Sequence, residues 1–345
     1  MKKLLLLILS FCLTGVVQAA TPTLQTVLPL LQKHQRTAAE NQQVLSLFRT
    51  AKDPNIIFAA GASLVKIPPQ KNQEPALFSI LMRQQDPLKQ TFAAIILIAM
   101  GNTHEELAPT LETALNSKDP VLRAYTAAAY AFIQPKNTNY TDEIVRLYIF
   151  DNDFASRALN VLNGNETNPL KTLKKAAVST DPQVRAAAAS WLGNLHTQAS
   201  AKQLLKMAKK ETDPATQAAI ATALAAQREY TLPDVSKALS KNFNSPYANT
   251  AALALGFMTG NGIDAVRKNL ISTNTNAHIN ASRAAAYMAN VLSNPDAFAY
   301  SSDRVFDIHL LKGLIAPLKA LETSGNNDEK TFAANALRQI EKLME

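Results

Sequence analysis

Residues 181–193 read Asp-Pro-Gln-Val-Arg-Ala-Ala-Ala-Ala-Ser-Trp-Leu-Gly, the pattern of one short helix with its start and its end. Asp181 can accept a backbone N–H as an N-cap, and Pro182 suits the first helical position because no donor is needed there. The alanines that follow are strong helix formers, and their small side chains let a second backbone come close. Gly193 is expected to end the helix in a left-handed conformation.

Variants of this stretch recur along the chain at a nearly constant interval. Three Asp-Pro pairs are spaced by 33 residues, and two later pairs are spaced by 32 residues. The pairs lie at 53–54, 86–87, 119–120, 181–182 and 213–214. One unit without proline fits the gap before 181, at 153–164, and degenerate units follow after 214. A period of about 31–33 residues is typical of stacked helical repeats.

Each repeat is interpreted as two helices. In the repeat at 105–133, apolar residues three and four apart predict an amphipathic first helix, while 121–133 is apolar on nearly all sides and predicts a buried second helix. The next repeat is interpreted in the same way, with 142–150 as the first, outer helix and 153–162 as the second, inner helix. We therefore expect an all-α protein, an α-solenoid of about nine stacked antiparallel helix pairs.

The repeats resemble the HEAT-repeat family, in particular the short-repeat class also found in bilin lyases. The resemblance rests on the order Asp, Pro, buried aliphatic, Arg and alanine run, which is complete at 119–128 and 181–189. The tetratricopeptide repeat has a similar period, but its signature residues are absent here. We expect a non-enzymatic scaffold that binds other proteins through its solenoid surface. The competing class is an enzyme or cofactor-handling protein related to the HEAT-like lyases.

Three repeats place an arginine four residues after an aspartate. The pairs are Asp119/Arg123, Asp153/Arg157 and Asp181/Arg185. This order suits a pair within one helix and also the helix dipole, and the resemblance implies a ladder of such residues between successive repeats. The alternative is an acid–base pair or a phosphate-binding arginine. Recurrence at the same repeat position favours the structural role.

Residues 1–19 have the pattern of a secretory signal peptide. Lys2 and Lys3 precede the apolar run 4–17, and small residues predict a cut after Ala19. The alternative, an uncleaved membrane anchor, would need about 20 apolar residues. Cleavage predicts a periplasmic or secreted protein without cysteine, because Cys12 is the only one in the chain.

The remaining chain is predicted to divide into three parts. These are N-terminal capping helices at 20–52, the repeat array at 53–292, and a loop insertion with a C-terminal capping helix pair at 293–345. Loss of the two leader lysines lowers the formal net charge from +8 to +6, and the charges of both signs are interleaved. With export, this argues against a nucleic-acid partner. No transmembrane segment is expected after leader removal, and a peripheral envelope contact stays open.

Candidate binding residues lie where the repeat is interrupted and on the outer helices. Polar, proline-rich 67–75 and the segment 294–304 break the rhythm, and insertions of a solenoid often bind partners. Phe298 and Tyr300 are candidate partner anchors; the alternative is that they cover the end of the array. The outer-helix lysines are candidates for a basic stripe facing an acidic protein or an anionic glycan or lipid, with a plain solvated face as the alternative. They are Lys171, Lys174, Lys206 and Lys209.

Sequence motifs of catalysis are absent. The chain has no Gly-x-Ser-x-Gly elbow, no His-Glu-x-x-His helix and no phosphate-binding loop, and its five histidines are isolated. We therefore expect no catalytic residue, no metal and no cofactor. The expected partner is a protein, whose identity the sequence does not reveal.

Overall fold

The computed structural model describes residues 23–83, 85–164, 168–227, 236, 239–244, 248–294 and 304–345. Within these ranges the regular structure is entirely helical, which confirms the all-α prediction. The contacts divide the chain into two compact units, with the boundary between Thr103 and His104. The leader at 1–19 lies outside the described residues. The predicted division at 20–52, 53–292 and 293–345 stays a prediction.

In its described residues, the first unit contains two helix pairs and a preceding helix. Its helices are α1 (Leu24–Leu31), α2 (Ala38–Thr50), α3 (Pro54–Lys66), α4 (Glu74–Arg83) and α5 (Pro87–Ala99). Helix α2 pairs with α3, α4 pairs with α5, and the second helices α3 and α5 pack against each other. A short 3₁₀ helix, Lys71–Gln73, precedes α4.

The second unit continues the same alternation. Its helices are α6 (Ala108–Ala114), α7 (Pro120–Ile133), α8 (Thr141–Leu147), α9 (Asn152–Leu162), α10 (Leu170–Ala176), α11 (Pro182–Asn194), α12 (Gln198–Ala208), α13 (Pro214–Ala226), α14 (Ala248–Phe257), α15 (Ile263–Leu270), α16 (Thr275–Ser293), α17 (Arg304–Ser324) and α18 (Asn327–Met344). The predicted partner of α14, at 233–241, lies mostly outside the described residues. None of the described helices is long and apolar enough to cross a membrane.

The Asp-Pro pairs start helices, as predicted. Four of the aspartates accept backbone N–H groups of the first turn and are followed by proline at the first helical position. They are Asp53, Asp86, Asp119 and Asp181. The fifth, Asp213, accepts the backbone N–H of Thr216 at 2.8 Å just inside α13. The carboxylate supplies the acceptor that first-turn N–H groups lack, and proline has no such N–H.

An inner row of helices runs through the second unit. Each member packs against the next in the order α7, α8, α11, α13, α14, α16 and α18. The buried residues of α11 include three small ones, Ala187, Ala188 and Ala189, which are completely buried. This packing of consecutive helix pairs is that of an α-solenoid, and it confirms the predicted fold class.

The repeat at 141–162 is reversed relative to its prediction. Its first helix, α8, lies in the inner row between α7 and α11, while its second helix, α9, packs on α7 and α8. At one end of α8 the ring of Tyr148 stacks on Trp191, with 4.2 Å between the ring centroids. Arg146 binds the carboxylate of Asp181 at the start of α11. The assignment of 142–150 to the outside and 153–162 to the inside is therefore wrong.

Burial explains the reversal. The buried residues of α8 are consecutive: Ile144, Val145, Arg146 and Leu147. Four consecutive positions cover all sides of a helix, so α8 needs neighbours on both sides. Helix α9 buries one stripe only: Phe154, Ala155, Ala158 and Leu159. A helix with one apolar stripe can lie on the outside, with its polar side in water.

Gly193 does not end α11, contrary to expectation. The helix continues through Asn194, and the left-handed residue beyond it is His196, with φ of 46°. A Cβ atom at Gly193 would lie 2.9 Å from both the Cα and the Cβ of Ala223 in α13. The glycine therefore permits close contact between two inner-row helices.

The proline-rich segment at 67–75 is shorter as a loop than predicted, because α4 already begins at Glu74. The start of the segment is tied to the chain that precedes α3. The guanidinium of Arg36 donates to the Ile67 carbonyl at 3.1 Å, and the Asn41 amide donates to the Pro68 carbonyl at 2.9 Å. These contacts hold the loop against its own unit. Its role in binding stays a prediction.

Candidate functional site

Three of the four candidate lysines line one groove in the second unit. Lys174 lies on α10, Lys206 lies on α12, and Lys209 follows α12 together with Lys210. Both outer helices pack against α11. The space between them has a volume of about 580 Å³. We call it the lysine groove.

The local sequence places these lysines outward. In α10 the buried residues are Leu173 and Ala176, so Lys174 between them points to solvent. In α12 Leu204 and Met207 are buried, and Lys206 is exposed. Lysines beside a narrow buried stripe are the expected polar face of an outer helix.

The floor of the lysine groove is apolar. Ala177 and Met207 are nearly buried, whereas Val178, in the turn after α10, is 75% exposed. A valine this open leaves apolar surface in contact with water. The groove therefore joins a basic rim to an apolar patch.

An ion pair at the floor of the lysine groove connects two repeats. Arg185 on α11 donates to both carboxylate oxygens of Glu211, at 2.7 and 2.8 Å, and to the Ser179 carbonyl at 2.9 Å. The Glu211 side chain is 4% exposed, and the backbone N–H groups of Thr212 and Asp213 also donate to it. The two-pronged geometry makes this a strong, charge-assisted pair.

The environment of Glu211 favours its ionised form. Burial by itself raises the pKa of Glu211, but the hydrogen bonds from Arg185 and from the Asp213 backbone outweigh it, and the net pKa is below the ordinary value. The same pair raises the pKa of Arg185. Both groups are therefore charged at neutral pH, and they neutralise each other.

This ion pair makes the free energy of unfolding depend on pH. Because the folded-state pKa of Glu211 is lowered, its stabilisation is complete above the unfolded-state pKa and is lost as pH falls through the folded-state pKa. We expect the free energy of unfolding to fall between about pH 5 and pH 3, around the ordinary glutamate pKa. Glu211→Gln should flatten this part of the curve. Parallel curves for the two proteins would contradict the assignment.

The lysines of the groove carry uncompensated charge. Among the described residues, no carboxylate lies within 4.0 Å of the amino groups of Lys174, Lys206, Lys209 or Lys210. Glu211 is the only acidic residue among the described residues that line the groove, and Arg185 already pairs with it. Four positive charges therefore surround the apolar floor.

Lys171, the fourth candidate, lies elsewhere. It lines a polar hollow of about 470 Å³ near the reversed repeat, together with Asp142, Asn163, Thr172 and Lys175. Lys171 and Lys174 share a face of α10, but they lie toward opposite ends of this short helix. The predicted stripe is thus divided between two concave sites.

Arg123 of the predicted ladder does not pair with Asp119, the aspartate four residues before it. Its guanidinium donates to Glu143 on α8, at 3.3 Å, and to the Ser117 carbonyl, at 2.8 Å. Asp119 instead caps α7. Asp181 and Arg185 separate in the same way, because Asp181 caps α11 while Arg185 binds Glu211.

The third predicted pair lies on the surface. Arg157 donates to Asp153 at 3.0 Å within α9, and the Asp153 side chain is 74% exposed. The sequence did not single out the buried Arg146, which binds both Glu143 and Asp181 and so connects α8 to α11. Its position four residues after Asp142 resembles the other pairs, but α8 lacks the Asp-Pro start.

Two candidates cannot be placed. Phe298 and Tyr300 lie outside the described residues, and their role as partner anchors stays a prediction. Among the described residues, no three His, Cys, Asp or Glu side chains are grouped so that they could hold a metal ion. The sequence also did not predict that Val178, Met207 and Glu211 would join the lysines in one groove.

A comparison with protein-family models agrees with the repeat architecture over part of the chain. Residues 170–256, which include the whole lysine groove, match the family model for HEAT repeats. No curated protein matches the chain. Among solved structures, the crystal structure of an engineered protein is 20% identical, with 79% of this chain and 98% of that chain covered and a TM-score of 0.24. Over residues 170–256, therefore, the chain is similar to HEAT repeats.

Proposed function

We propose that this chain is an exported, non-enzymatic scaffold that binds another protein at the lysine groove. The observation that carries the proposal is the combination of four uncompensated lysines with an apolar floor. HEAT repeats form helical scaffolds that often mediate protein interactions, and their rigid helices present side chains of several repeats to one partner. A protein partner can use both parts of the groove at once.

Rigidity supports binding at this place. Arg185 on α11 binds Glu211 in the turn after α12 and the Ser179 carbonyl in the turn after α10, so it links the two sides of the groove. A preformed groove loses less conformational entropy on binding than a mobile one. The basic rim also raises the rate of encounter with an acidic partner.

Export rests on the leader at 1–19. We expect the mature protein to begin at Ala20 and to fractionate with the envelope or the medium. N-terminal sequencing of the protein from each fraction tests this. An intact Met1 in the exported fraction would contradict cleavage, and exclusive recovery from the cytosol would contradict export.

The binding function is tested by crosslinking from the groove. A photo-crosslinking residue at Gln203, which lines the groove, should capture one defined protein from the exported fraction. Lys206→Glu combined with Lys209→Glu should reduce the yield of that adduct by about tenfold or more, because reversal replaces attraction with repulsion on the rim.

The matched control reverses the charge of two lysines that lie outside the groove. Lys171→Glu combined with Lys202→Glu changes the net charge equally and uses the same two helices, but neither residue lines the groove. This control should leave the adduct unchanged. Equal losses in the two variants would indicate a general charge effect and would refute the groove as the binding site.

A further inference from the structure

We propose that the lysine groove binds a single acidic segment of the partner, with carboxylates on both rims and one bulky apolar side chain over Val178. This inference rests on the proposed function and adds the chemistry of the partner. The geometry on which it depends lies entirely within α10, α11, α12 and their turns.

The charges around the groove specify an anionic ligand. Lys206, Lys209 and Lys210 lie within about one helical turn of one another, while Lys174 faces them from α10. Residues three and four apart on a helix are neighbours, so α12 and its end provide a cluster of three positive charges. A ligand with a single carboxylate would leave most of this charge unmatched.

The width of the groove specifies the spacing of the carboxylates. Packed helix axes are about 8–10 Å apart, and an open groove between two outer helices requires at least this distance. An extended chain advances about 3.3 Å per residue. Two carboxylates that reach opposite rims should therefore be about three or more residues apart, which several Asp or Glu residues in a short segment provide.

The floor specifies the apolar residue. Val178 is 75% exposed and lies beside the nearly buried Met207 and Ala177. A leucine or aromatic side chain between the acidic residues would cover this surface, whereas a ligand without an apolar side chain would leave it exposed to water. Affinity for the segment should therefore need both chemistries.

The concave shape favours a peptide segment over a membrane. The groove lies between two helices, and the nearly buried Met207 and Ala177 line it. A bilayer surface meets protruding side chains, so it would contact the lysines of the rims without using the floor. Anionic vesicles are accordingly expected to bind weakly, in a manner that salt abolishes.

The test measures binding of fluorescent peptides to the full-length mature protein. The probe is an acidic peptide of about twelve residues with one central leucine, long enough at about 3.3 Å per residue to cross the groove. In one comparison peptide serine replaces the leucine, and in the other glutamine and asparagine replace the acidic residues. Fluorescence anisotropy at moderate salt gives each Kd, and phosphatidylglycerol vesicles form a separate arm.

The first peptide should bind at least tenfold more tightly than either comparison peptide. Lys206→Glu with Lys209→Glu should weaken it by about tenfold or more, while Lys171→Glu with Lys202→Glu should leave its Kd within about twofold. Val178→Ser should remove the advantage of leucine over serine and leave the charge dependence intact. Circular dichroism of each variant checks that the fold is retained.

The outcomes separate this inference from the proposed function. If no acidic peptide binds but the crosslinked adduct still depends on Lys206 and Lys209, the groove binds a protein and the acidic-segment inference is wrong. If vesicles bind more tightly than every peptide, the site is a membrane contact and the inference is overturned. If the serine peptide binds as tightly as the leucine peptide, the apolar part of the proposal is wrong.

Discussion

Glu211→Ala should lower the free energy of unfolding by about 3 kcal/mol. Removing one partner of a buried ion pair leaves the other charge without compensation, which costs about 3–5 kcal/mol. Arg185 is 18% exposed and keeps its bond to the Ser179 carbonyl, so the lower end of this range applies. The turn after α12 also loses an acceptor, since the Glu211 carboxylate binds the N–H groups of Thr212 and Asp213.

Chemical denaturation measures this loss. Trp191, the only tryptophan, lies in α11, the helix that carries Arg185, so its fluorescence follows unfolding of this repeat. Asp153→Ala is the matched control, because the exposed Asp153–Arg157 pair should contribute no more than about 0.5 kcal/mol. Similar losses for both variants would show that the Arg185–Glu211 contact has no special weight.

Replacement of both partners provides a second check. Arg185→Met combined with Glu211→Leu removes both charges and fills similar space with apolar atoms. Such exchanges are often neutral or stabilising, so the double variant should be more stable than Glu211→Ala. A double variant that is less stable than the single one would mean that the charges themselves maintain the fold of the turn.

Gly193→Val should also destabilise the protein, by about 3 kcal/mol. The new Cβ would lie 2.9 Å from the Cα of Ala223, a backbone atom that cannot move without shifting α13. Overpacking of a well-packed contact costs about 1–3 kcal/mol, and the two further methyl groups of valine place this variant at the upper end. The small gain in helix propensity over glycine does not offset this cost.

Gly313→Val is the matched control. Gly313 also lies inside a helix, α17, but a Cβ there would meet no atom within 4 Å. The same substitution should change stability by less than about 0.5 kcal/mol, since only helix propensity is affected. Thermal unfolding followed by circular dichroism compares the two variants. Equal effects would mean that propensity, and not the approach of α11 to α13, decides the result.

Much of the fold follows from local chemistry. The five Asp-Pro pairs mark helix starts because the cap and the proline act within the first turn, independently of the rest of the chain. The periodic apolar residues then require neighbours, and stacking of similar repeats provides them. The likeness to bilin lyases and the location of the protein in the cell are not decided in this way, and both stay predictions.

The site was predicted only in part. Lysines on outer helices follow from the apolar pattern, and three of the four candidates do line one groove. Lys171 does not, because α10 is short and its two ends face different hollows. The apolar floor could not be foreseen, since Val178 belongs to a turn and its exposure depends on how α12 lies beside α10.

The sequence by itself determined the helix starts, the repeat period and the sign of the outer charges, because each depends on residues a few positions apart. Only the tertiary structure decided that α8 lies in the inner row, that α13 packs closely against α11 at Gly193, and that Arg185 binds Glu211, 26 residues away. These outcomes depend on which surfaces meet when repeats stack. Packing and paired burial of charge are properties of two helices together, and a repeat pattern specifies each helix separately.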